Sequence, residues 1–274
     1  MDKSIYLGGW EVNFNDEEEL RNFIIQHSLT KSGFEVFTGI QSGLEIKTDN
    51  GKIIEILNQP GDEKVSGPLE FLIPEVKPHK LFWLKPSNPG KHQLGGKMPD
   101  ELKILTDDSF KPFYLGQLDC KDEYFSWIGL DKLHLFYPLD FYHDPTFIDY
   151  ADELKPELFN ETNKSEYSPE KELSSIAFDA TEEVTIKELE NESDPIHLCG
   201  VPLWYQYPEL PKCPKTGELM KFVCSISSTT RINIMKKGFL GSRKTKEFLM
   251  FGDMGTLYVF FHPKSKIAYL TIQF

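Results

Sequence analysis

Two histidines, each followed closely by a glycine turn, are the first residues whose types and spacing suggest chemistry. They lie in "KHQLGGKMP" (91–99) and "IHLCGVPLW" (196–204), and both segments run from His through Gly to Pro. An imidazole beside a tight turn can face a cleft between two halves of a protein, or it can bond the backbone and lock the turn. His92 and His197 are therefore candidate functional residues, and both interpretations stay open.

The four cysteines are too few for a disulfide scaffold in a chain of 274 residues, so we expect reduced thiols. "CPKTG" (213–217) has the form of a zinc-knuckle turn, but Thr216 stands where the second thiolate would be. We predict no bound metal and no cofactor. A degenerate metal-binding module remains an alternative.

Asp253 lies in a Gly-rich turn, "GDMG" (252–255), where its carboxylate can accept N–H groups of the turn or act as an acid. The sequence has no nucleophile elbow, phosphate-binding glycine loop, His-Glu-x-x-His pattern or dinucleotide fingerprint. No catalytic residue is predicted and an enzyme is disfavoured. A small-ligand-binding protein, or a hydrolase with its pocket between two halves, remains an alternative.

The charge of the chain is negative and uneven. The formal net charge is -13, and residues 148–194 contain 15 Asp and Glu against 4 Lys. This balance argues against nucleic acid as a partner and favours a basic protein. The acidic stretch is expected to be a solvated connector in which "SSIAFDA" can form a short strand. The carboxylates expected to face a partner are Glu182, Glu183, Glu188, Glu190 and Glu192.

One basic stretch, "RINIMKKGFLGSRKTK" (231–246), stands out in this acidic chain. It can bind the acidic segment or an anionic partner, but a solvated loop is the expected structure.

The elements that would position these residues occur twice. A Gly turn is followed by an alternating strand, "FYLGQLDC" (113–120) or "MKFVCSIS" (220–227), and then by a Gly turn and an aromatic strand. We expect Gln117 and Ser225 at equivalent positions, and Leu135–Tyr137 equivalent to Tyr258–Phe260. Each unit would leave one apolar face uncovered, so two units are needed to bury a common core.

The first 85 residues predict a small α+β extension. "NDEEELRNFIIQHS" (15–28) has a capping residue, acidic residues in its first turn and one apolar face, which is typical of an amphipathic helix. Strands follow in "FEVFTGI", "GLEIKT" and "KIIEIL", and an Asn-Gly turn joins the last two.

These motifs resemble the YwqG-like family, bacterial domains of unknown function. His92–Gly96 keeps the His-Gln-x-Gly-Gly turn of that family, and Phe251–Gly255 is similar to its Trp-Gly-Asp-x-Gly turn. The family strand Gln-Ile-Asp-Ser is matched by Gln117, Leu118 and Asp119, whereas the second copy reads "CSIS". The resemblance covers about residues 85–274, and it marks Gln117 and Asp119 as candidate functional residues. It implies an immunity or interaction role.

We therefore expect an α+β protein that is mostly antiparallel β, with an internally duplicated core. The expected parts are the extension (1–85), the first half (86–147), the acidic connector (148–194) and the second half (195–274). The favoured function is a cytoplasmic protein-interaction module, in particular an immunity protein that neutralises a basic toxin. No membrane partner is expected, because no run approaches the roughly 18 apolar residues of a membrane helix.

Overall fold

The computed structural model describes most of the chain from residue 82 onward and six strands that precede it. The described residues after the N-terminal strands are 82–104, 112–138, 145–159, 172–185, 188, 196–200, 211–218, 220–238 and 241–274.

The N-terminal strands form three separate antiparallel pairs. They are β1 (Ser4–Leu7) with β2 (Trp10–Asn13), β3 (Phe34–Val36) with β6 (Val65–Gly67), and β4 (Leu44–Asp49) with β5 (Lys52–Asn58). Pairing of Asp49 with Lys52 confirms the hairpin predicted between β4 and β5. The helix predicted within 15–28 lies outside the described residues.

Thirteen further strands form one antiparallel sheet, in which neighbouring strands are often not consecutive in the sequence. Their alternating or continuous apolar sequences supply the β-branched and aromatic side chains that suit a pleated surface. Their bounds are β7 (Phe82–Pro86), β8 (His92–Gly96), β9 (Phe113–Asp119), β10 (Lys132–Tyr137), β11 (Thr146–Asp149), β12 (Glu157–Leu158), β13 (Glu172–Thr181), β14 (His197–Cys199), β15 (Lys221–Ser227), β16 (Asn233–Gly238), β17 (Gly241–Phe248), β18 (Thr256–His262) and β19 (Ile267–Gln273).

The strand order in the sheet differs from the order of the strands in the sequence. The order is β10-β9-β8-β13-β7-β14-β15-β18-β19-β11-β12, and the β16–β17 hairpin attaches to the start of β13. A short 3-10 helix follows β9 (Ser126–Ile128), and another follows β15 (Ser228–Thr230). The four strands predicted from the alternating and aromatic segments are confirmed.

The register gives the cross-strand partners within β9–β10 and within β15–β18. Gln117 lies opposite His134, and Ser225 lies opposite Tyr258. Leu135 lies opposite Gly116, whereas Val259 lies opposite Cys224. With Gln117 and Ser225 taken as equivalent, Leu135–Tyr137 would correspond in register to Val259–Phe261, one residue from the predicted Tyr258–Phe260.

The sheet folds over a large hydrophobic cluster that takes residues from β7 to β19, and a smaller cluster lies on β15, β18 and β19. The Tyr150 hydroxyl donates a hydrogen bond to the carbonyl oxygen of His134, and this contact joins the β11 side of the sheet to the β10 side. Trp127, after β9, packs on Phe261 of β18 with ring centroids 6.5 Å apart. The core is thus shared by the early and late strands.

Two sequence expectations need correction. The predicted connector is not simply solvated, because Glu172–Thr181 forms the central strand β13 and 146–149 forms β11. The basic stretch expected to be a loop contains the paired strands β16 and β17. Both segments form strands because they pair with strands that are distant in the sequence. The amino-acid composition of the segments alone did not predict these strands. The mostly antiparallel β character is confirmed; helix in the described residues is limited to the two 3-10 turns and Glu188.

Candidate functional site

His92 of β8 lies at the end of β9 and fixes the turn that follows. Its Nδ1 accepts a hydrogen bond from the Asp119 backbone N–H at 3.1 Å, and its ring meets Phe125 edge-on with centroids 5.0 Å apart. Nδ1 is thus an acceptor, so a neutral His92 carries its proton on Nε2. Burial lowers the pKa of His92, which favours this neutral form.

The Nε2 of His92 points toward a buried carboxylate. It lies 3.9 Å from Asp122 Oδ2 and has no hydrogen-bond partner among the described residues. Asp122 Oδ2 instead accepts from Lys91 Nζ at 2.8 Å, and Oδ1 accepts from the Tyr124 N–H at 3.1 Å. Burial opposes ionisation of Asp122, but these hydrogen bonds outweigh it, and the pKa of Asp122 falls below its usual value.

The end of β13 adds further carboxylates to this cluster. Asp179 accepts a hydrogen bond from the Lys91 backbone N–H at 3.0 Å, and Glu182 accepts one from the Tyr124 hydroxyl at 3.1 Å. We name this region the acidic rim, which comprises Asp119, Asp122, Glu123, Asp179, Glu182 and Glu183. Its members Glu123, Glu182 and Glu183 are exposed.

The other carboxylates predicted to face a partner do not all join the rim. Glu188 pairs with Lys85, and mainly this hydrogen bond lowers the pKa of Glu188 to about 2. Glu188 is therefore engaged within the chain. Glu190 and Glu192 lie outside the described residues.

Gln117 lies on the opposite face of the sheet from His92. The register aligns Gln93, Gln117 and His134 across three adjacent strands, which makes a polar row. Gln117 Oε1 is buried without a hydrogen-bond partner, and His134 Nδ1 lies 3.4 Å from the Tyr114 hydroxyl. Burial lowers the pKa of His134 to about 4. Sequence reasoning missed His134, whose only signal was its place in the alternating segment "KLHLFY".

His197 of β14 is a buried structural residue with no carboxylate against it in the described part of the chain. Its Nε2 lies 3.2 Å from Thr230 Oγ1, and its ring lies 5.5 Å from that of Phe178. Burial lowers the pKa of His197 to about 4. His197 thus holds the 3-10 helix after β15, much as His92 holds the turn after β9.

Asp253 is exposed in the turn before β18. That turn is closed by the Gly255 N–H, which donates to the Phe251 carbonyl at 2.7 Å. Five strands separate β9, which carries Asp119, from β18 in the sheet order. The structure therefore brings His92 and Asp119 together, but places Gln117, His197 and Asp253 elsewhere.

All four cysteines are free and buried. Burial raises the pKa of Cys120 and of Cys224 to about 12, and that of Cys199 well above its usual value. No group of three or more His, Cys, Asp and Glu among the described residues could hold a metal ion. Sequence reasoning missed contacts of Cys213 with Ser265 and of His262 with Glu218.

The β16–β17 hairpin forms a basic ribbon of Arg231, Lys236, Arg243, Lys244 and Lys246, all of which are exposed. It contacts β13 through pairing of Glu172 with Met235 and of Leu173 with Ile234. The basic ribbon and the acidic rim therefore lie at opposite ends of the same strand, β13.

Comparisons of the chain with protein-family models, with curated proteins and with solved structures gave no match. Within the described residues, no helix has the length and apolar character needed to cross a membrane.

Proposed function

We propose that this protein is a protein-binding module that captures a basic partner through the acidic rim. The observation that carries the proposal is that Asp122, from the turn after β9, and Asp179, from the end of β13, both bond Lys91, while Glu182 bonds Tyr124 of the same turn. Lys91 forms an ion pair with Asp122 in this cluster. One ammonium group does not neutralise the several carboxylates, so the net charge of the acidic rim stays negative. A surface of this charge attracts a basic protein over long range and raises its association rate.

Hydrogen bonds hold much of the rim in a fixed arrangement. Asp119 Oδ1 accepts from the Lys121 N–H at 2.8 Å, and Asp122 and Asp179 both bond Lys91. Charges held in place before binding lose less conformational entropy when the complex forms. This preorganisation supports a binding surface rather than a merely solubilising one.

We further propose that the partner is a basic toxin and that the protein acts in the cytoplasm as its immunity protein. The resemblance of His92–Gly96 and Phe251–Gly255 to the YwqG-like family supports this role. Toxins that cleave nucleic acid are commonly basic, because their substrate is anionic, and an acidic inhibitor complements them.

The same proposal includes an internal duplication, with halves at 86–147 and 195–274 and an α+β extension before them. Gly116 pairs with Leu94, and Cys224 pairs with Cys199, so Gln117 and Ser225 hold equivalent positions. A register shift also interrupts β9–β10 and β15–β18 at matching places.

The strands that precede each half support an exchange between them. β13 precedes the second half but pairs with β8 of the first, whereas β7 precedes the first half but pairs with β14 of the second. Such an exchange would explain why neither half could complete its own sheet.

A pocket enzyme is less well supported. It would need Asp119, Asp253 and a histidine in one cleft, and among the described residues no hydrogen bond or ion pair joins Asp253 to His92 or His197. Binding of a partner at the rim uses residues that the fold already brings together.

The test substitutes the three exposed rim carboxylates, as Glu123→Gln, Glu182→Gln and Glu183→Gln in one variant. A labelled polylysine peptide serves as the probe in stopped-flow measurements at low and high salt. We expect the association rate to fall several-fold at low salt while the dissociation rate changes little, because exposed charges act mainly by steering.

A matched control variant loses the same formal charge elsewhere, through Glu101→Gln, Glu157→Gln and Asp253→Asn, all at exposed positions. We expect a clearly smaller effect from the control variant. Equal effects of the two variants, or an association rate that does not respond to salt, would exclude the rim as the binding surface. Co-expression with the product of a neighbouring toxin-type gene tests the immunity role, which requires growth to be restored.

A further inference from the structure

The basic ribbon, formed by β16 and β17, concentrates positive charge in an acidic chain. Residues 231–246 contain no Asp or Glu, while the whole chain has a net charge of -13. All five named members of the ribbon are exposed, and among the described residues none of them forms an ion pair with a carboxylate. The charge of the ribbon is therefore open to an anionic partner.

The register within the ribbon places like charges against each other. Lys236 lies directly opposite Arg243 on the neighbouring strand. Like charges at such positions destabilise an antiparallel pair, because the Cβ atoms are only about 4.5 to 5.5 Å apart. A bound anion would relieve this repulsion, so the ribbon is expected to be more stable with an anionic partner than without one.

Packing in the core does not account for β17. The strand has 8 residues, and its segment 242–247 reads "SRKTKE", with no apolar side chain. Among the described residues, no member of β17 belongs to either hydrophobic cluster of the sheet. A two-stranded ribbon is only marginally stable by itself. The length and charge of β17 thus call for an explanation other than burial.

β17 is an edge strand in the part of the chain that the structure describes, where it pairs with β16 alone. Every second residue of an edge strand directs its backbone N–H and C=O groups away from the sheet, where another strand can pair with them. Cationic side chains on such an edge repel a second copy of the same strand. They attract a strand that carries carboxylates, so the edge of β17 favours an acidic sequence.

The regular part of the ribbon presents a cation on each of its two faces. Pairing with β16 is regular over 241–244, before the register shifts. Arg243 and Lys244 are consecutive in this part, and consecutive side chains of a strand point to opposite faces. A strand added to the edge would bring its own consecutive side chains beside these two. Two adjacent carboxylates would therefore meet both cations.

We propose that the edge of β17 is a second docking site, which takes an extended acidic segment of another protein as an added strand. The backbone of the segment pairs with β17, while its adjacent carboxylates bind Arg243 and Lys244. Nucleic acid complements the charge but not the edge. Its phosphate groups only accept hydrogen bonds, so they leave the outward C=O groups of β17 without donors.

The test measures the binding of a fluorescent peptide to the full chain by anisotropy. The peptide has about ten residues, all Thr or Glu, with adjacent pairs of Glu. We expect saturable binding at low salt, with slower hydrogen exchange of amides within 241–247, because strand pairing protects amides. Arg243→Gln with Lys244→Gln should weaken binding by a factor of about 2 to 30, as expected for two exposed charge pairs.

The matched control variant is Lys103→Gln with Lys132→Gln, which removes two exposed charges away from the ribbon. We expect its affinity for the peptide to stay within about twofold of that of the unaltered chain. A second control uses the same peptide with N-methyl groups on successive amides, which keeps its charge but blocks pairing at both of its edges. We expect this peptide to bind at least about tenfold more weakly.

Three results would overturn the proposal. They are equal binding of the N-methylated peptide, unchanged hydrogen exchange within 241–247, and tighter binding of a single-stranded DNA of the same charge than of the peptide. The peptide and DNA comparisons use the unaltered chain, so they decide the question even if a variant does not fold. The variant that lacks the exposed carboxylates of the acidic rim should bind the peptide at least as tightly as the unaltered chain, which separates this site from the rim.

Discussion

At the scale of single residues, Gly95 shows why the strand β8, "HQLGG", requires glycine. Its φ is 71°, and a Cβ added there would lie 1.9 Å from the Ser174 carbonyl oxygen on the neighbouring strand β13. A backbone oxygen cannot move away without breaking the ladder between β8 and β13. The glycine is therefore needed for close approach of the strands as well as for the backbone angle.

We expect Gly95→Ala to lower the free energy of unfolding by about 2 to 5 kcal/mol, the sum of left-handed strain and overpacking. Urea unfolding followed by circular dichroism measures this loss. Gly129→Ala is the matched control, because Gly129 has a φ of 74° but nothing within 4 Å of an added Cβ. That variant should lose only about 1 to 2 kcal/mol, and a similar loss in both would disprove the close-approach argument.

Residue-scale chemistry also separates the two histidines that the sequence analysis grouped together. His92 lies beside Asp122 at the acidic rim, whereas His197 contacts Thr230 and Phe178 in an uncharged environment. Each histidine forms a hydrogen bond at or just after the end of the neighbouring strand. The feature that the two histidines share is therefore the stabilisation of a turn. Of the two histidines, only His92 lies beside the carboxylates of the acidic rim.

At the scale of elements, one hydroxyl joins the two sides of the sheet. Tyr150 follows β11 and donates to the carbonyl oxygen of His134 on β10, and the Tyr150 side chain is fully buried. The contact connects strands that lie at opposite sides of the strand order. It therefore contributes to closing the sheet over its core.

We expect Tyr150→Phe to destabilise the protein by about 1 to 3 kcal/mol, because the His134 carbonyl loses a donor in a buried place. Thermal unfolding and urea unfolding measure this loss. Tyr124→Phe removes an exposed hydroxyl that bonds Glu182, and we expect it to change stability by less than about 0.5 kcal/mol. Equal changes in the two variants would show that the Tyr150 contact does not help to close the sheet.

At the scale of the whole molecule, the early and late strands share one core. Trp127 stacks on Phe261, and Lys221 Nζ lies 4.1 Å from the centroid of the Trp127 ring. The pairing of β13 with both β8 and β7 also links the two sides through the sheet centre. Neither side retains a complete core once the other unfolds.

We therefore expect residues 82–274 to unfold in a single transition. Cys120 follows β9 and Cys224 lies on β15, and both thiols are buried, so each is alkylated only when its surroundings open. Mass spectrometry after pulse alkylation at increasing urea should give the same midpoint for the two thiols. Intrinsic labelling rates measured in full denaturant are the control. A lower midpoint at Cys120 than at Cys224 would mean that the halves unfold separately.

The sequence by itself predicted five of the thirteen strands of the large sheet, but it predicted a loop where β16 and β17 lie and turns where β8 and β14 lie. Alternating apolar residues predicted β9 and β15, aromatic runs predicted β10 and β18, and "SSIAFDA" predicted a strand within β13. These signals are local, because side chains that alternate between the two faces of a strand leave a period of two in the sequence. Residue types alone also predicted that the four cysteines are free thiols. They also showed that the sequence contains none of the catalytic motifs considered.

Only the tertiary structure decided which strands are neighbours, and hence which side chains meet. A local period does not record that β13 lies between β8 and β7, or that its end carries Asp179 to Lys91 and Glu182 to Tyr124. The same holds for Cys213 and Ser265, which are 52 residues apart but in contact. Such contacts follow from burying all the apolar faces in one core, which is a property of the whole chain and not of any segment.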